Sequence, residues 1–279
     1  MTTRFRKAPT VGASTARVFD LSLGQMLWSR RSAFLALLVA GPVLVAAVIR
    51  LASAASLGTF QVDGARVAGG TLFGLIIWLL YIRFIVPVLG IFYGTALIAD
   101  EVEDKTITYL FTRPIARRAI LFGKYLAYLA CTILLVLPSV VVVFFLIAPT
   151  GGSTIAGNVP SLMADLGMLA LGLTAYGAVF AFVGARLKRP LIIGLVFAFG
   201  WEPSVLLFPG YMKRLTVAYY LQALVTHEMP RDSAAVVLLQ AFHEVPSVVT
   251  SLTALAAITA LTLWLAGRAV ERREYVLDQ

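Results

Sequence analysis

Long apolar runs alternate with short polar stretches along the chain, a pattern that predicts a bundle of membrane-crossing helices. The first run, 33–49, has about the minimum of 17 residues needed to cross a bilayer, with Pro42 tolerated inside it as a kink. Small and polar residues at 51–70 predict an outer loop. The next run, 67–99, would be about 50 Å long as one helix, against a hydrocarbon core of about 30 Å. It is too long for one ordinary span and too short for two, so it predicts a tilted or projecting second span bent near Pro87. A third span covers 125–148, with Pro138 as a kink, and 149–160 has the Pro, Gly and Ser density of an outer loop. The fourth span, 162–185, carries Gly167, Gly172, Gly177 and Gly184, residues that permit close helix packing. Arg186, Lys188 and Arg189 form a tight inner turn, and Pro190 suits the first position of a fifth span running to about 208. Residues 209–246 form an outer segment with two interfacial helices at 211–225 and 232–242, the second capped by Asp232 or Ser233. The sixth span, 247–267, repeats threonine at 250, 253, 259 and 262, where hydroxyls bond the preceding turn or a neighbouring helix.

The polar, basic leader 1–32 precedes these spans. Ala52-Ser53-Ala54 resembles a signal-peptidase site, but the leader is long for a signal and Arg50 interrupts the approach, so the first span reads as uncleaved. Phe19, Leu23, Met26 and Leu27 share one helical face while Arg17, Asp20 and Gln25 lie elsewhere. That predicts an amino-terminal helix lying in the membrane interface.

Composition agrees with this layout. Of 279 residues, 60% are hydrophobic and 13% charged, about half the charged share of a soluble domain. The chain is thus an all-α polytopic membrane protein, with residues 1–279 forming one domain. The net charge of +9 does not point to nucleic acid, because the basic residues border apolar runs. With six spans, 17 Lys and Arg lie on the side of the termini and 5 on the other, leaving Arg83 unassigned. The positive-inside rule then places both termini and the 100–124 loop in the cytoplasm, across the cytoplasmic (inner) membrane. The single cysteine, Cys131, excludes an intrachain disulfide and a cysteine metal cluster.

No GxxxxGK[ST] phosphate loop is present, so the chain does not bind ATP by that route. His227-Glu228 and His243-Glu244 do not extend to HExxH, and they read as solvated helix ends, not a metal site. No nucleophile–base arrangement points to an active site. Two charges fall within spans: Arg83, which reaches an interface or needs an internal partner, and Glu202, whose burial is costly unless it is paired, protonated or hydrated. They form a candidate intramembrane pair.

The most polar interior stretch is 100–124. Four carboxylates (Asp100, Glu101, Glu103, Asp104) lead into an apolar stripe, Ile107, Leu110, Phe111 and Ile115. Thr112-Arg113-Pro114 then supplies a cap and first turn for a short helix bearing Arg117 and Arg118. Glu101 and Lys105 have the favoured i,i+4 orientation, extending the second helix into water.

Glu101, Glu103, Thr106, Leu110, Pro114, Arg117, Gly123 and Lys124 together resemble the signature of type-2 ATP-binding-cassette (ABC) transporter permeases. The interfacial helix, six spans and outer helices resemble the same family. Lys105 departs from it, standing where many members have glycine. The resemblance implies a permease, exporter-like, that pairs with a second permease as a homodimer or pseudo-dimer. It also implies two cytosolic ATPase subunits, which bind the ATP and Mg. The short helix would be a coupling helix, with Glu101, Glu103, Thr106, Leu110, Pro114, Arg117, Arg118 and Lys124 transmitting ATPase motion. Glu101 and Glu103 are expected to latch to the leader or to the arginines. The competing readings are an ion-coupled secondary transporter using Arg83 and Glu202, and a membrane scaffold or assembly factor.

Overall fold

Each apolar run folds as helix, since a backbone in hydrocarbon must satisfy its own amides and carbonyls. A computed structural model describes residues 11–28, 30–55, 61–62, 65–66, 69–103, 117–150, 155–207, 211–225 and 246–272. Helix α1 is Val11–Leu27 and α2 is Arg30–Ala54, followed by a two-residue hairpin of β1 (Gln61–Val62) and β2 (Ala65–Arg66). A continuous helix, α3, covers 69–103; α4 is Arg117–Ile147 and α5 is Ile155–Arg186. Helix α6 covers 190–207, α7 is Val217–Gln222 after the 3-10 turn Tyr211–Leu215, and α8 is Val248–Arg272.

Among the described residues, five helices are long and apolar enough to span a bilayer: α2, α3, α4, α5 and α8. The expected fifth span is α6, whose apolar part, Pro190–Val205, is shorter. Pro190 takes the first helical position as expected. The run at 69–99 is one helix, and its 31 residues extend to roughly 46 Å, longer than the hydrocarbon core.

Pro87 does not break α3. A proline lacks the amide of the i→i−4 bond and its ring presses on the carbonyl one turn back. The helix responds with π turns at Ile77–Ile85 and Gly90–Gly94, and the Val86 N–H just before the proline donates to the Tyr81 carbonyl five residues earlier. Helix α6 repeats the device: Val196–Trp201 is π-helical, and the Glu202 N–H, just before Pro203, donates to the Phe197 carbonyl. Pro42, Pro138 and Pro160 instead sit within α-helical turns.

The core is the seam of α3, α4 and α5. An added Cβ at Gly177 would lie 2.1 Å from the Tyr128 ring, and one at Gly184 would lie 2.3 Å from the Thr95 carbonyl oxygen of α3. Tyr128 lies over the Gly177 gap, and its hydroxyl donates to the Leu173 carbonyl at 2.9 Å. Tyr125 donates likewise to Thr174, at 2.8 Å, and the Tyr81 and Ser139 hydroxyls share a 2.8 Å bond between α3 and α4. Gly167, by contrast, has nothing within 4 Å, so it takes no part in this packing.

Ser247 caps α8, accepting from the Thr250 amide at 3.2 Å. Thr253, Thr259 and Thr262 bond the carbonyls of the preceding turn, as expected of hydroxyls in an apolar helix. Rows of large apolar side chains, including Leu37, Leu44 and Val48 on α2 and Val249, Leu261 and Trp264 on α8, are exposed. They give the bundle the outer surface of a protein whose solvent is lipid or another membrane chain.

Candidate functional site

One end of the bundle gathers the stem of the 100–124 loop. Helix α3 arrives there, described as far as Glu103, and α4 is described from Arg117. Thr106, Leu110 and Pro114 lie outside the described residues, as do Lys105 and the expected cap at Thr112-Arg113-Pro114. Arg117 and Arg118, expected on a short separate helix ahead of the third span, instead lie on that span's own helix, which runs unbroken to Ile147. Glu101 and Glu103 are helical in α3, in agreement with the expected extension of the second helix beyond its apolar run.

The two arginines that follow reach across the bundle. Arg118 makes a fork with Glu271 of α8: Nε lies 2.5 Å from Oε1, and Nη2 donates to Oε2 at 2.6 Å. Arg117 Nη1 donates to the Glu271 backbone carbonyl at 3.4 Å. Both cations therefore sit at the carboxyl end of α8, where the helix dipole favours positive charge. Glu271 is absent from the residues expected to matter. Its only sequence signal is a lone acid inside the basic run Arg268, Arg272, Arg273.

On the other side of α4, α1 packs directly over Gly123. An added Cβ there would lie 2.8 Å from both the Thr15 carbonyl oxygen and Val18 Cβ. The glycine of the Gly123-Lys124 pair is thus where the backbones of α1 and α4 approach closely. Ser14 and Ser22 are buried, with Val18, Phe19, Leu23 and Met26 half-buried beside them. Phe19, Leu23 and Met26 fall on the expected face, whereas Leu27 is exposed along with Leu21 and Trp28. Lys124, one residue past this contact, is half-buried.

The second polar centre lies deep in the bundle. Glu202 is 2% exposed, and its carboxylate is fully engaged. Oε2 accepts the Tyr176 hydroxyl of α5, and Oε1 accepts the amides of Val217, at 3.0 Å, and Ala218, at 3.4 Å. These are the first amides of α7, donors that no intrahelical carbonyl can satisfy. Thr216 takes the next, from Tyr219, at 3.4 Å. A carboxylate on a helix amino terminus meets both the orphan amides and the positive end of the dipole. Burial of Glu202 is offset by three hydrogen bonds, where pairing, protonation or hydration was expected.

Helix α7 is consequently embedded, not laid on the surface as expected of the outer segment. Val217 to Leu221 are all buried, and Leu221 packs 3.2 Å from where a Gly172 Cβ would stand. The Tyr220 hydroxyl donates to the Arg214 carbonyl at 2.9 Å, and desolvation raises its pKa, keeping it a neutral donor. The expected second outer helix, and His227, Glu228, His243 and Glu244, lie outside the described residues.

Arg83 and Glu202 make no ion pair within 4 Å. The Arg83 guanidinium instead lies 5.3 Å above the Trp78 ring. Among the described residues no group of three His, Cys, Asp or Glu is placed to hold a metal ion.

The five long apolar helices make this a multi-pass membrane bundle. The chain matches the family described as ABC-2 family transporter protein over residues 29–269, and it belongs to that family. It is thus an ABC permease component of the membrane, in a class that does not itself carry out catalysis. No curated protein matches the chain.

Proposed function

We propose that this chain is the permease of an ABC exporter in the cytoplasmic membrane, powered by separate ATPase subunits docked on the 100–124 loop. Two permeases, identical or related, form the pathway, and each takes one ATPase bearing the ATP and Mg. Both termini and the loop stem lie in the cytoplasm, as the 17-to-5 distribution of basic residues favours. The observation that carries the reading is the stem itself within a chain of this family. Arg117 and Arg118 tie the start of α4 to the end of α8, and Gly123 ties it to α1. A push on the loop is therefore delivered to three helices at once.

Glu101, Glu103, Thr106, Leu110, Pro114 and Lys124 complete the docking element in this proposal. Substrate enters between apolar helices, which suits lipids, peptides or amphipathic compounds better than highly charged solutes. Affinity purification in mild detergent tests the assignment. A nucleotide-binding protein with Walker motifs should come down at one copy per chain, and Arg117→Glu with Arg118→Glu should lose it or uncouple its hydrolysis from transport. Gradient-driven transport by the purified chain alone would replace this reading with a secondary transporter.

A further inference from the structure

At the same end of the bundle, a cleft of about 870 Å³ opens between α5, the turn that follows it and α8. Arg186, Lys188, Arg268 and Arg272 line it, and among the described residues no carboxylate does. Arg268 and Arg272 are four residues apart, hence neighbours on one face of α8. Arg186 ends α5 and Lys188 lies in the turn beyond it. The acid nearest in sequence, Glu271, gives both carboxylate oxygens to Arg118, so it does not neutralise the cleft. Like charges gathered around one concavity repel one another unless an anion sits among them.

The remaining lining selects the kind of anion. Phe182 and Leu265 make part of the cleft apolar, which a small hydrated ion would not need. Trp264 is about half exposed one turn before Arg268, whose guanidinium lies 4.3 Å above its ring. Tryptophan with arginine at a span end is the arrangement of a membrane–water interface. Stacking uses the face of the guanidinium and not its N–H donors, which remain suited to phosphate oxygens. The cleft's volume lies within the range of small-ligand sites, about 300–1,000 Å³.

We propose that this cleft binds the phosphate headgroup of an anionic phospholipid from the cytoplasmic leaflet, with its acyl chains along the exposed side of α8 past Trp264 and Leu261. The proposal rests on this end of the bundle being cytoplasmic, and it is independent of which ATPase or substrate the permease uses. Basic clefts between helices at that face are suited to anionic headgroups.

Native mass spectrometry of the full chain in detergent tests it, with dioleoylphosphatidylglycerol and dioleoylphosphatidylcholine offered at equal concentration. The phosphatidylglycerol adduct should persist preferentially, and excess inorganic phosphate should not displace it. Arg268→Gln with Arg272→Gln should lower the preference on the order of tenfold. Arg186→Gln with Lys188→Gln should do so independently, which guards against misfolding of either variant. Arg50→Gln with Arg214→Gln, an equal loss of charge elsewhere, should leave it unchanged. Equal retention of the two lipids, displacement by phosphate, or an equal fall in the control variant would overturn the site. So would unchanged lipid preference in both cleft variants with loss of a co-purifying ATPase, which would assign the cations to a protein partner.

Discussion

Arg118 and Glu271, 153 positions apart in sequence, form a two-pronged ion pair that joins the start of α4 to the end of α8. Their side chains are 44% and 39% exposed, so solvent screening limits the pair to about 0–1 kcal/mol of stability. Its value is in position. Arg118→Ala and Glu271→Ala should each leave the thermal midpoint nearly unchanged while lowering ATP-driven transport by the reconstituted complex. The exchange Arg118→Glu with Glu271→Arg should recover part of that loss. Unaltered transport in both single variants would remove the pair from the coupling path.

Glu202 should prove a structural cap. Tyr176→Phe removes one of its hydrogen bonds and should cost about 1 kcal/mol. Glu202→Ala strips the buried Val217 and Ala218 amides of their acceptor and should cost roughly 2–6 kcal/mol, at about 1–3 kcal/mol per unsatisfied group. Glu202→Gln keeps a carbonyl oxygen for those amides and should fall between wild type and Glu202→Ala. Thermal unfolding in detergent ranks the three. Equal loss for Gln and Ala would show that the negative charge, and not the acceptor, is what matters.

Glycine substitutions in α5 should divide sharply. Gly184→Ala drives a methyl against the Thr95 backbone, which cannot rotate away, and should cost about 1–3 kcal/mol. Gly167→Ala enters open space and should change stability by less than about 0.5 kcal/mol. Thermal midpoints of the two variants measured side by side check the contrast.

Gly123→Val should lift α1 from α4, because even a Cβ would stand 2.8 Å from Thr15 and Val18. Hydrogen exchange of the amides at 11–27 should quicken while that of α5 stays slow. Unchanged protection of α1 would mean that the helix is held elsewhere.

Five of the six expected spans were legible because hydrocarbon imposes a length and a composition on each helix, and the signature at 100–124 pointed to the family now shown. Gly177 and Gly184 were legible as packing sites, but composition could not separate them from Gly167, which differs only in what stands opposite. Glu202 was visible as an anomaly and its solution was not. Its partners include two backbone amides 15 and 16 residues later, and amides leave no mark in a sequence. The Arg118–Glu271 pair was hidden by separation alone. Pro87 predicted a disturbance, which takes the form of π turns on either side.

The central claim is that the 100–124 loop receives motion from a separate ATPase. The most direct measurement places a photo-crosslinking amino acid at position 114 or 117 of the full chain in its native membrane, with position 57, which the proposed topology puts on the opposite face, as control. The account predicts a crosslink from 114 or 117 to a protein carrying Walker motifs, and none from 57. Absence of that crosslink in membranes where the chain transports its substrate would contradict it.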